Sequence, residues 1–191
     1  MNGRGDGRVG RAEALVRLFH PHPAAFAAFA PAAAAELPAG CRELLAHTSH
    51  MTVAMERFHG GPVRLRVVAR QEDAAGRYAR EILLTTPAGR IVQHGIVRLD
   101  LARLDPETAA AIRSESVPLG RILIAAGLFC DVHGVELLRI SPGEELLAAC
   151  GAGADVKAAN SLDTFGRVAT IGVAGQAAVE LLEIVAPGTA A

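Results

Sequence analysis

The sequence predicts an α+β fold built on an antiparallel sheet, and three observations carry that expectation. Residues 62–101 read as three strands in succession joined by short turns. The end of the chain, from Thr164 to Pro187, reads as a second strand pair closing the domain. The helical segments are gathered between these strand groups, unlike the regular strand–helix alternation of a parallel sheet. At 191 residues the chain can bury a substantial core and fits one domain better than two.

Taken in order, residues 1–40 read as an N-terminal arm, partly disordered, and residues 41–187 as the domain. The first ten residues are Gly-rich. A short amphipathic helix is expected from Ala12 to Phe19, until "HPHP" breaks it and Pro31 and Pro38 keep the next segment in short pieces. "CRELLAH" supplies a helical turn or two. The next helix runs from Ser49 as N-cap to the Gly60–Gly61 pair, with Met51, Met55 and Phe58 on one stripe.

The period then changes to two. In "PVRLRVVAR", Val63, Leu65, Val67 and Ala69 face one way and Arg64, Arg66 and Arg70 the other. "RYAREILLTT" and "RIVQHGIVRLDL" complete the meander, and Gly95 within the third strand marks a bulge or a close approach. Asp105 and Pro106 make a strong helix start. A second helix lies between Pro118 and Gly127, "FCDVHGVELLRI" reads as a strand, and "SPGEELLAAC" as a helix capped by Ser141. "GAGADVKAANS" is expected to be a loop, and "AGQ" the turn of the final hairpin.

Composition removes several function classes. Nineteen basic and twenty acidic residues give a net charge of -1, which offers no basic field for nucleic acid. Three widely spaced cysteines, Cys41, Cys130 and Cys150, argue against a disulfide framework and for a reducing compartment. No signal peptide or membrane-spanning stretch is recognisable, so a cytoplasmic protein is expected, and "RGD" at residues 4–6 is read as chance. P-loop, GxSxG, HExxH and paired CxxC motifs are missing from the sequence. His47, His50 and His59 invite a metal site, but no Cys or carboxylate is spaced to complete the ligand set, and no metal is expected.

Two charged residues raise sharper questions. If Tyr78–Leu84 is a strand, Arg80 shares a face with Tyr78, Ile82 and Leu84. Either that face meets solvent and the stem snorkels, or it is internal and the guanidinium requires an anion, for which a planar carboxylate suits its fork. In the last strand Glu183 shares a face with Val179, Leu181 and Val185, and Glu180 lies on the other. A central strand would make one of these carboxylates internal, and the pattern leaves open which.

Four segments in register, "LLAHTSHMT", "YAREILL", "VPLGRIL" and "FGRVATIGVAGQAAVELLEIVAP", resemble the chorismate pyruvate-lyase (4-hydroxybenzoate synthase) family across residues 44–187. The resemblance implies a chorismate lyase-like α+β domain whose helical flaps cover an internal ligand pocket. It also implies a substrate-binding set of Met51, Arg80, Leu119 and Glu183. In that set Arg80 holds a carboxylate, Met51 and Leu119 offer backbone groups, and Glu183, four residues before Pro187, is preferred to Glu180. Arg80 and Glu183 would be the catalytic pair, the glutamate moving a proton as pyruvate leaves and the ring aromatises, without cofactor. Arg167 is the candidate for a second substrate carboxylate. Ser49 and Val168 depart from the family pattern, where an acidic residue and a second arginine stand.

The expected activity is therefore a cofactor-independent carbon–oxygen lyase converting chorismate to 4-hydroxybenzoate or a related aromatic acid. The second reading is a non-catalytic domain binding a small aromatic acid, since the same fold resembles effector-binding domains of bacterial transcription regulators. Those regulators carry a separate helix-turn-helix that the Pro-broken first 40 residues do not resemble. A small-molecule carboxylate is the expected partner, with no nucleic acid and no membrane span, and a monomer is expected.

Overall fold

A computed structural model describes residues 5–128, 130–151, 163–173 and 176–189; the loop expected at residues 151–161 and the turn at residues 174–176 lie largely outside them. Its framework is a seven-stranded antiparallel sheet in the order β1-β5-β6-β7-β4-β3-β2. The strands are β1 (Ala27–Pro31), β2 (Arg64–Glu72), β3 (Arg77–Thr85), β4 (Ile91–Asp100), β5 (Cys130–Pro142), β6 (Thr164–Val173) and β7 (Gln176–Val185). The helices are α1 (Gly5–Val16), α2 (Pro23–Phe26), α3 (Ala39–Leu45), α4 (Met51–His59), α5 (Pro106–Arg113), α6 (Leu119–Ala125) and α7 (Glu144–Ala149). This is the α+β architecture that the sequence predicts.

Helices cover both faces of the sheet. On the front face, α3 and α4 pack on β2, β3 and the end of β7 through Leu44, Leu45, Met55, Ile82 and Leu84. Beside them α5 and α6 pack on Leu99, Val179 and Ile171 through Ile112, Ile122 and Leu123. On the back face α1, α2 and α7 cover Ile96, Leu138, Ile140, Val168, Leu182 and Ile184. With both faces covered, β3 is buried along nearly its whole length. That removes the solvent-facing alternative for Arg80, which is 2% exposed.

The first forty residues hold more structure than their composition suggests. α1 starts at Gly5, not near Ala12, and buries Ala12, Leu15 and Val16. Fully burying a Leu or Val contributes about 1.5–3 kcal/mol, which outweighs about 1 kcal/mol per helical glycine. β1 pairs with β5 from Ala27↔Pro142 to Pro31↔Leu138. An alanine-rich, proline-ended segment has little strand propensity of its own, so the open edge of β5 determines its conformation.

Three local expectations change. Ser141 does not cap α7; Gly143 does, while Ser141 pairs with Ala28 and its hydroxyl donates to Asp163 Oδ1 at 2.6 Å. α4 begins after His50, leaving Ser49 outside as an anchoring residue. In β2 the register shifts between Val67 and Ala69, so Val68 bulges out and Arg70 stands opposite Arg80 on the front face. The Asp105 cap, accepting from the Thr108 amide at 2.8 Å, and the αL glycine Gly60 end their helices as the sequence predicts.

A polar cluster stitches the back face. Glu81 Oε1 lies 2.7 Å from His94 Nε2 and 3.0 Å from His20 Nε2, and His20 Nδ1 reaches Glu145 Oε2 at 2.6 Å. The Phe26 ring packs on both imidazoles. Burial pushes the Glu81 carboxyl up, but hydrogen bonds from His94 and His20 outweigh it and hold the group below the usual carboxylate range. A carboxylate depressed in the folded state contributes stability that is complete above its unfolded value, about 4.3, and is lost as pH falls through the lower folded value. Acid unfolding curves of Glu81→Gln should therefore be flatter than wild type below about pH 4.3; an equally steep acid loss in the variant would show that Glu81 does not drive it.

Candidate functional site

The registers of β3, β4, β7 and β6 place the front-face residues in rows. One row holds Arg80, Val97, Leu181 and Ala169; the next holds Ile82, Gly95, Glu183 and Arg167; the third holds Leu84, Gln93, Val185 and Phe165. Gly95 sits mid-row without a side chain, and a Cβ there would meet Ile82 Cδ1 and Cγ1 at 3.3 Å. The gap it leaves is the floor of a cavity of about 570 Å³, mouth included. His50, Met51 and Thr52 at the start of α4 and Pro118, Leu119 and Gly120 at the start of α6 form the roof.

The two helical covers are locked to each other over this floor. A Cβ on Gly120 would lie 3.1 Å from His50 Cβ and 3.4 Å from Thr52 Oγ1, so the close approach of α6 to α4 depends on a glycine. Arg121 on α6 pairs with Glu56 on α4. The amides of Met51 and Thr52 precede the first intrahelical bonds, which begin with Val53.

Arg80 lines the cavity as a buried cation with no ion pair among the described residues. Nη1 donates to the Ile112 carbonyl at a long 3.4 Å, and Nε is buried with no hydrogen-bond partner. Burial pulls the guanidinium pKa down, and Tyr78, through its charge and a side-chain hydrogen bond, and then Glu115 offset part of that shift. Glu115 itself is engaged elsewhere: it accepts from Tyr78 Oη at 3.1 Å and lies 3.3 Å from Arg70 Nε. An unpaired buried charge costs several kcal/mol, which an anion entering the cavity would offset.

Arg167, equally buried and lining the same cavity, is fully engaged. Its Nε donates to Glu183 Oε2 at 2.7 Å across the β6–β7 pair. Nη1 donates to the His47 carbonyl at 2.7 Å, to His47 Nδ1 at 3.3 Å and to the Leu45 carbonyl at 3.5 Å, and Nη2 donates to the Ser49 carbonyl at 3.1 Å. One guanidinium thus fixes Glu183 and the whole connector between α3 and α4. Burial, with Arg167 adding to it, holds the His47 imidazole below its ordinary pKa. Burial likewise lowers His50, with Glu183 opposing and Arg167 adding to the shift. Both imidazoles are therefore neutral at neutral pH. Among the described residues no three His, Cys, Asp or Glu side chains cluster as a metal site.

Met51, Arg80, Leu119 and Glu183 all line this one cavity. Glu180 does not; it lies on the back face, half-exposed, accepting from Arg98 Nε at 2.8 Å. Gln93, Thr52 and His50 also line the cavity and were not anticipated as site residues. For Gln93 the signal was present: alternation through "QHGIV" sets a polar side chain on the same face as Gly95 and Val97.

No protein-family model matches the sequence, and no curated protein matches it. The fold does have solved relatives. The effector domain of PhnF from Mycobacterium smegmatis superposes with a TM-score of 0.51 at 16% identity, covering 73% of this chain and 89% of that one. Full-length PhnF gives 0.48 at 17% identity, and this chain spans 65% of its length while 74% of this chain is covered. The C-terminal domain of the histidine utilization repressor from Pseudomonas syringae pv. tomato gives 0.47 at 13% identity, covering 68% of this chain and 94% of that one.

The architecture is the chorismate lyase-like fold shared with the PhnF effector domain. The expectation of lyase activity is corrected. The structure that superposes with a TM-score of 0.51 is an effector domain. The site itself gives a physical reason. Chorismate carries two carboxylates, but Arg167, the candidate for the second, is committed to Glu183 and three backbone carbonyls. Glu183, the expected proton carrier, is tied into that same ion pair. No described helix is long and apolar enough to cross a membrane.

Proposed function

We propose that this chain is a non-catalytic domain that binds a small carboxylate, with Arg80 as the anion-binding group. The observation that carries the reading is the state of Arg80: buried, lining the cavity, with Nε unpartnered and no acid in contact among the described residues. Met51 and Leu119 would cover the ligand from above, and Glu183, oriented by Arg167, would accept a hydrogen bond from its side. The apolar walls from Ile82, Val97 and Leu181 suit a hydrocarbon or aromatic body. The effector domain among the structural neighbours supports a sensing role over a catalytic one.

Benzoate and benzamide separate the charge from the ring. Isothermal titration should show benzoate binding at least about tenfold more tightly than benzamide, a difference of about 1.4 kcal/mol for the charge-assisted contact. Incubation with chorismate should release no pyruvate. Equal binding of the acid and the amide would remove Arg80 from its role as the anion-binding group.

A further inference from the structure

The cavity holds a second unmet polar group. Gln93 is 2% exposed, lines the cavity, and its Oε1 is buried with no hydrogen-bond partner. Its side chain bends over the floor, since Nε2 lies 3.5 Å from the position a Cβ on Gly95 would take. A buried amide left unpaired costs about 1–3 kcal/mol. A central strand has no reason to carry that cost on its covered face unless something in the cavity answers it.

The charges in the cavity limit what that answer can be. The ionisable groups lining it are Arg80, Arg167, Glu183 and His50. Arg167 and Glu183 neutralise each other, and half-buried His50 is uncharged at neutral pH. Among the described residues one positive charge remains, on Arg80. A monoanion balances it; a dianion brings a second charge into a cavity where no described residue is free to pair with it.

Resting on the carboxylate-binding reading, we infer that the ligand is a monocarboxylate bearing a neutral hydroxyl or carboxamide, and that Gln93 is the specificity-determining residue which recognises that neutral end. An amide side chain presents one acceptor and two donors; the unmet atom is the acceptor Oε1, so its partner must donate, and a partner that also accepts can serve the amide N–H groups as well. Hydroxyl and primary carboxamide groups can do both, whereas a carboxylate only accepts. Gly95, beneath the amide, is two residues along β4 from Val97, the partner of Arg80. That is about 7 Å along the strand, the scale of a single substituted ring or a short chain.

Benzoate, its 3- and 4-carbamoyl derivatives, and the dicarboxylates isophthalate and terephthalate test this by calorimetry at neutral pH; the two ring positions cover the span. At least one carbamoylbenzoate should bind about tenfold more tightly than benzoate and than its matching dicarboxylate. Gln93→Met, close in shape but apolar, should reduce that preference to within about threefold. Gln93→Leu is the second variant should the first unfold, with thermal melts confirming the fold of each. A preference that survives both substitutions, or a dicarboxylate that binds as well as the carbamoyl acid, overturns the assignment of Gln93 while the benzoate result leaves Arg80 in place. Failure of benzoate itself to bind wild-type protein overturns both readings together.

Discussion

Replacing Arg167 with Met should lower the unfolding free energy by about 3–5 kcal/mol, the range for removing one member of a buried ion pair. The substitution strands Glu183 on a covered face and releases the carbonyls of Leu45, His47 and Ser49 at once. Denaturant unfolding measures the loss, and hydrogen exchange should show the amides of residues 45–50 opening faster than the sheet. Arg167→Lys should recover only part of the stability, because an ammonium lacks the planar fork that reaches Glu183 and the connector together. A loss below about 1 kcal/mol would mean that the α3–α4 connector is held by its packing alone.

Arg80→Met should do the opposite to stability and far more to binding. Arg80 has no ion pair to lose, and an apolar side chain of similar length removes an uncompensated charge, so the unliganded protein should be as stable as wild type or more so. Carboxylate binding should fall by at least about a hundredfold, about 2.8 kcal/mol. The pair of arginines thus separates two uses of a buried charge within one cavity: Arg167 organises the framework, and Arg80 is left open for an occupant. Equal destabilisation by the two substitutions would show that Arg80 is structural.

How much of the fold is legible in the sequence depends on how each residue is held. The meander of β2, β3 and β4 and the pairing of β6 with β7 arise from local alternation and turn chemistry, both written in the sequence. β1 does not, because its conformation is imposed by the edge of β5, a partner more than a hundred residues away. Alternation could not choose an environment for Arg80, since β3 is covered on both faces and a period of two distinguishes faces, not their exposure. Likewise the bulge at Val68, which turns Arg70 to the front face, leaves no signature in "RLRVVAR".

The four expected residues line one cavity, but the partners of the charges around them are not written in the spacing. Met51, Arg80, Leu119 and Glu183 come together around one cavity from four separate segments. The lyase chemistry attached to them comes from the family resemblance, with Arg167 as the candidate for a second carboxylate. Its commitment to Glu183 and the α3–α4 connector is a tertiary fact that spacing along the chain cannot carry. The face of Gln93 follows from alternation with Gly95, but its lack of a hydrogen-bond partner is a tertiary fact.

The role of Arg80 as the anion site is tested most directly by the melting temperature of wild-type protein and Arg80→Met with and without saturating benzoate. An unpaired Arg80 that serves in this way predicts that benzoate raises the wild-type melting temperature. It also predicts that the variant melts at or above unliganded wild type and that benzoate does not shift it. A benzoate shift of the same size in both proteins would contradict it.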